Sequence, residues 1–195
     1  IAFPLAAGET LYDFVTRHRG PDAVPVLCHE PALEPFGACR LCSVEVAGTA
    51  DGPRRIVASC HTPATAGQHV FTDGPRVRRL RRNLLELVLS AYPEAAERPA
   101  PGHHPTELQA LLARYGVTQS RFGRHALAAE VDRSHPYLRF DPAQCIHCHR
   151  CIRACDEVQG SLVLAMHGRG HGSRVIRSLD QDFASSDCVS CGRCV

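Results

Sequence analysis

Eleven cysteines in 195 residues, most of them grouped two residues apart, carry the chemistry of this chain. The densest run is Cys145, Cys148, Cys151 and Cys155, spaced C-x2-C-x2-C-x3-C. That spacing holds iron–sulfur clusters through thiolates: three close cysteines wrap a loop around one cubane, and the fourth points at another. A second run, Cys188, Cys191 and Cys194, aligns with the first as C-[IV]-x-C-x-R-C-[IV], and Phe140 and Phe183 each stand five residues upstream. The two runs form an internal repeat. In two-cluster ferredoxins the first three cysteines of one run share a cubane with the fourth of the other. Cys155 is therefore expected to join Cys188, Cys191 and Cys194 around one [4Fe-4S] cluster. Cys145, Cys148 and Cys151 would hold a second [4Fe-4S] cluster, with a fourth ligand expected three residues past Val195 by the logic of the repeat. Both ends read as cut, because Ile1 is not an initiator Met and Val195 interrupts a cysteine motif.

The remaining cysteines, Cys28, Cys39, Cys42 and Cys60, are spaced C-x10-C-x2-C-x17-C. Four thiolates, three from a loop and one from a returning strand, suit a [2Fe-2S] rhombus with two sulfurs per iron. Tetrahedral zinc is the alternative, although zinc ribbons and fingers usually pair two C-x2-C knuckles and this set has one. Cys145, Cys148 and His149 also satisfy C-x-x-C-H, the c-type haem attachment signature. Haem would leave Cys151 and Cys155 without a purpose, and the repeat has Gly192 where His149 stands.

These thiolates need elements to position them. Ile1 to Leu5 reads as a strand, and Thr10 as the cap of a short helix carrying Leu11, Phe14 and Val15, with Gly20 near its end. Val24 to Leu27, Ser43 to Val46 and Arg55 to Ala58 read as short β segments. Gly37 fits a loop that approaches a cluster closely or simply turns. Residues 77–91 read as a helix with Val77, Leu80, Leu84, Leu87 and Val88 on one face. Its arginines Arg76, Arg78, Arg79, Arg81 and Arg82 read as a solvated face or, less simply, a docking surface for an acidic partner. Residues 94–105 read as a linker; Thr106 and Gln109 then form a capping box for a second helix that Gly116 ends. Residues 121–136 read as a connector, and the stretch after Cys155 as a helix followed by a hairpin.

Composition excludes more than it assigns. A hydrophobic share of 44% with 22% charged residues is ordinary for a globular protein. A net charge of +2, 6% aromatics and no Trp give no reason to expect nucleic-acid binding. No stretch approaches the roughly 20 apolar residues of a membrane span. Clustered cysteines in odd number suit metal ligation in a reducing compartment, taken as the cytoplasm, better than a disulfide framework.

Residues 25–29 (PVLCH), 37–45 (GACRLCSVE) and 58–60 (ASC) resemble the N-terminal domain shared by four groups of proteins. These are the large iron–sulfur subunit of respiratory complex I, the diaphorase part of NAD-linked hydrogenases, iron-only hydrogenases, and cytoplasmic NAD-linked formate dehydrogenases. The resemblance implies an α+β chain with a β-grasp [2Fe-2S] ferredoxin-like domain over 1–73, a helical linker region over 74–136 and a two-cluster [4Fe-4S] ferredoxin-like domain over 137–195. That family usually carries a His followed by three cysteines between the helices, for a further cluster. Here His103, His104 and Pro105 run straight into Thr106 to Gln109, with no cysteine before Cys145. The cluster loop reads as deleted, leaving His103 and His104 as exposed loop residues.

Residues 151–160 (CIRACDEVQG), 168–170, 173–175 and 186–192 are similar to the two-cluster domain of cytoplasmic molybdenum or tungsten formate dehydrogenases. The resemblance implies an electron relay, with a pterin–metal (Mo or W) domain outside these residues and a flavin/NAD-binding diaphorase partner. A diaphorase-type subunit of an NAD-linked hydrogenase or complex I-like enzyme is the alternative, and a zinc scaffold is the one from another class. No Walker loop or G-x-G-x-x-G is present, so neither nucleotide nor flavin is expected to bind within the chain, and no substrate active site is expected in it.

Overall fold

A computed structural model describes residues 3–195. Helix α1 (Leu11–Arg19) opens on the capping box formed by Thr10 and Asp13 and stops at Gly20. The strands β1 (Ser43–Ala47), β2 (Arg55–Ala58) and β3 (His69–Phe71) form an antiparallel sheet in the order β2-β1-β3. Central β1 is buried along its whole length because both of its faces are used. Val44 and Val46 pack with Leu11 and Val15 of α1, beside Cys42 and Cys60. On the alternate face Glu45, also buried, accepts a 2.9 Å bond from Arg76 at the start of α2 (Pro75–Ala91).

Helix α3 (Glu107–Tyr115) has the capping box of Thr106 and Gln109, and Gly116 ends it at φ 62°, in the left-handed region that glycine enters without strain. Helices α2 and α3 enclose a core of Leu85, Leu89, Leu108, Leu111 and Leu112 that extends to Leu27 and Leu41 of the cysteine loops. Replacing fully buried Leu85 with Ala is expected to cost about 3 kcal/mol through lost transfer energy and the cavity left behind. A denaturation midpoint within error of the parent's would contradict that placement.

The C-terminal part begins with a bridge between Asp132 and Phe140. Short helix α4 (Arg150–Arg153) continues as a wider π-turn over Ala154–Val158, and the hairpin of β4 (Leu164–His167) and β5 (Arg174–Arg177) follows. The two parts share packing. Ile146 of the first cysteine run rests on the same core as Cys39 and Leu41. Arg150 binds Glu107, and the Arg153 guanidinium lies 5.0 Å from the Phe36 ring centre.

Four expectations are corrected. Phe3 to Leu5 form no strand, and Ile1 and Ala2 lie outside the described residues. Val24 to Leu27 contribute buried side chains but no strand, since Pro25 lacks the N–H a ladder needs and the chain is turning into Cys28. The buried stripe of α2 is Val77, Arg81, Leu85 and Leu89, whereas Leu87 is half exposed. The arginine run is accordingly not one solvated face: Arg76 binds Glu45, Arg78 binds Asp73, and Arg81 is buried.

Candidate metal centres

The loop holding Cys28, Cys39 and Cys42 folds against the turn Ser59–His61 that carries Cys60. Gly37 at φ 71° and Arg40 at φ 58° bend the backbone so that successive thiols face inward. Cys28, Cys42 and Cys60 are buried and Cys39 partly so. The sulfurs group two and two. Cys42 and Cys60 share a hydrogen bond at 3.3 Å, and the Cys39 amide donates to Cys28 Sγ at 3.4 Å. Ser59 ties the third and fourth cysteines together, donating through its hydroxyl (2.7 Å) and its amide (3.3 Å) to the Cys42 carbonyl.

Each pair carries one easily lost proton. The hydrogen bond from Cys28 pulls the Cys39 thiol down to about 5, and that from Cys60 pulls Cys42 down to about 7. Their partners Cys28 and Cys60 are pushed upward, first by the same shared bonds and then by burial. Thiolates of this kind are the form that binds metal.

Arg81, which the sequence grouped with surface arginines, reaches this loop from α2. Its Nε donates to the Leu41 carbonyl (3.0 Å) and Nη2 to that of Ser43 (2.8 Å), so the guanidinium brackets Cys42. Its spacing of four from Val77 and from Leu85 was the available signal, because it puts Arg81 on the buried stripe.

In the C-terminal part the repeat is a repeat of backbone conformation. His147 and Ser190, at equivalent positions, have φ 54° and 56°, and His149 and Gly192 have φ 63° and 73°. Each loop therefore curls identically, and the His147 and Ser190 amides donate to Cys145 Sγ and Cys188 Sγ, both at 3.4 Å. Gly192 stands opposite His149 because the position calls for a left-handed residue, which requires no haem ligand. The upstream Phe140 and Phe183 meet edge to face at 5.5 Å, with Leu164 and Val175 beside them. His135 braces the second loop: its Nδ1 accepts from the Tyr137 and Leu138 amides, which leaves Nε2 to donate to Ser190 Oγ at 2.8 Å.

Cys155, Cys188, Cys191 and Cys194 all border one small apolar cavity of about 20 Å³ with Leu138, Leu164 and Phe183. Cys145, Cys148 and Cys151 border a larger one of about 560 Å³, which Cys194 also reaches and Cys155 does not. Burial pushes the Cys151 thiol up to about 12 and raises those of Cys145 and Cys194. Among the described residues no three Cys, His, Asp or Glu side chains converge on a single ion's position. His103 and His104 are exposed on their loop.

The family model described as a 2Fe-2S iron–sulfur cluster binding domain matches residues 2–75. The one described as NADH-quinone oxidoreductase subunit 3, ferredoxin-like domain, matches residues 135–187. NADP-reducing hydrogenase subunit HndD of Solidesulfovibrio fructosivorans is 36% identical over 81% of this chain and 26% of its own length. Putative formate dehydrogenase SH0748 of Staphylococcus haemolyticus is 26% identical over 96% of this chain and 18% of its own. The chain thus spans about a fifth to a quarter of the curated relatives it matches. A crystal structure of an NAD+-reducing [NiFe]-hydrogenase in the H2-reduced state contains a chain with 32% identity and a TM-score of 0.72; the match covers 94% of this chain and 77% of that one. With that likeness and both domain matches, the chain belongs to the family of iron–sulfur proteins that join a 2Fe-2S cluster binding domain to a subunit 3-type ferredoxin-like domain.

Proposed function

We propose that this chain wires a catalytic metal domain or subunit to a flavin/NAD-binding partner, carrying single electrons over one [2Fe-2S] and two [4Fe-4S] clusters. The grouping of four thiols, three buried and Cys39 partly so, into two hydrogen-bonded pairs carries the reading, because a rhombus takes two thiolates on each iron whereas one zinc ion draws all four to a point. Cys28 and Cys39 would hold one iron, and Cys42 and Cys60 the other. Cys155, Cys188, Cys191 and Cys194 would hold one cubane, and Cys145, Cys148 and Cys151 supply thiolates to the second. Bound there, the clusters accept and release one electron at a time.

The chain's own groups set the conditions. Amides of Cys39, His147 and Ser190 aimed at cysteine sulfur stabilise negative charge, while Phe140, Phe183, Leu164 and Val175 pack with Cys145, Cys151, Cys155, Cys188 and Cys194 and leave Cys191 exposed. The units assigned are a β-grasp domain over 1–73, a helical linker over 74–136 without the loop of one histidine and three cysteines, and a two-cluster domain over 137–195. Eleven free thiols suit the reducing cytoplasm. Among the described residues no helix is long and apolar enough to cross a membrane.

The resemblance of residues 151–160 and 186–192 supports a formate dehydrogenase as parent, with a molybdenum or tungsten pterin on the catalytic side. The 77% coverage of a hydrogenase chain supports the alternative. Anaerobic iron and sulfide analysis with low-temperature EPR of the holoprotein is expected to show one [2Fe-2S] and two [4Fe-4S] signals. Zinc without sulfide would remove the relay. Reduction of those signals by formate, not hydrogen, assigns the first parent; reduction by hydrogen alone assigns the second.

A further inference from the structure

Arg81 is the largest fully buried side chain in the protein's described residues, at 1% exposure. Four of its N–H groups are used: besides the Leu41 and Ser43 carbonyls, Nη1 donates to the Thr72 carbonyl (3.0 Å) and the Tyr115 hydroxyl (3.2 Å). Every one of these acceptors is neutral. The nearby carboxylates are engaged elsewhere, Glu45 with Arg76 and Asp73 with Arg78, and among the described residues none forms an ion pair with Arg81. A guanidinium buried without a counter-charge is costly, and carbonyl dipoles offset only part of that cost.

Two of its acceptors identify what completes the balance, since Leu41 and Ser43 flank Cys42 on either side. A rhombus bound by four thiolates is anionic, and it gains a further negative charge on reduction. We infer that Arg81 is a positioning residue of the [2Fe-2S] site, fixing the backbone around Cys42 with its fork and supplying the buried positive charge that favours the reduced cluster. This rests on the assignment of Cys28, Cys39, Cys42 and Cys60 to that cluster.

The fork and the charge are separable. Lys keeps the charge on a single nitrogen that cannot span the Leu41 and Ser43 carbonyls in the same way; Gln removes it. The measurement is an EPR-monitored redox titration of the [2Fe-2S] signal in the full holoprotein, with iron and sulfide counted in each sample. For Arg81→Gln the ratio of reduced to oxidised cluster at a fixed ambient potential is expected to fall about tenfold, equivalent to about 59 mV for one electron. Arg81→Lys is expected to stay within about threefold of the parent while broadening the EPR line shape, because the charge remains and the loop loosens.

An assembled Arg81→Gln cluster at the parent potential overturns the inference, as does an Arg81→Lys shift as large as that of Gln. If the Gln variant fails to assemble, the Lys variant decides: a loaded cluster near the parent potential supports the charge role, and failure to load reduces Arg81 to a fold residue and overturns it. Absence of a [2Fe-2S] signal from the parent protein itself would instead sink the underlying cluster assignment.

Discussion

Replacing Cys155 with Ala is expected to remove the cubane of the second cysteine run and to leave that of its own run in place. Cys155 follows Cys151 by four residues and lies in the wider π-turn over Ala154–Val158. It borders the cavity of Cys188, Cys191 and Cys194 and not the one that Cys145, Cys148 and Cys151 share. The expected loss is about four of roughly ten irons per chain, with one [4Fe-4S] signal gone and the [2Fe-2S] signal unchanged. Cys191→Ala should give the same spectrum as Cys155→Ala, and Cys148→Ala the complementary one. A Cys155→Ala spectrum matching Cys148→Ala would show each run binding its own cluster and would overturn the crossed assignment.

The crossing proposed for the two cubanes was expected from spacing, which is local. So were the helix cap at Thr10, the capping box at Thr106, the glycine stop at Gly116 and the hairpin after Cys155, each decided by residues close in sequence. The strand His69–Phe71 escaped notice, since three residues carry too little pattern to set against a turn-rich background. Arg81 escaped for another reason. Composition reads an arginine cluster as solvated, and only the meeting of α2 with β1 turns one member into the side chain that brackets Cys42. The pairing of Phe140 with Phe183 is similar: the repeat marks both residues, but their contact at 5.5 Å depends on how the two loops are brought face to face. Spacing thus suggests the ligands proposed here, whereas the groups packed around them depend on tertiary contacts.

Asp132 illustrates that second kind, standing in a stretch read as a plain connector. Its carboxylate accepts from the Phe183 amide at 2.8 Å and pairs with Arg177 at 3.1 Å, and both side chains are about nine-tenths buried. Its backbone meanwhile exchanges hydrogen bonds with Phe140. One residue therefore ties together the approaches to both cysteine runs. Burial alone would raise its pKa, but the bonds from Ser134 and the Phe183 amide, with the charge of Arg177, outweigh burial and hold it below the ordinary 3.8. Asp132→Ala leaves Arg177 buried and unpaired and is expected to cost about 3 kcal/mol. If clusters are lost through local opening of this part, that corresponds to roughly a hundredfold faster iron release to a chelator. Because the folded carboxyl titrates below its unfolded value, its contribution is complete above about 3.8 and disappears only as pH falls through the folded value. The difference between parent and variant should then stay flat from about pH 8 to pH 5. A difference that faded between about pH 7 and pH 6 would show that the Asp132 carboxyl is not its source. Release at the parent rate would show that the Asp132 and Arg177 pair does not hold the second cysteine run.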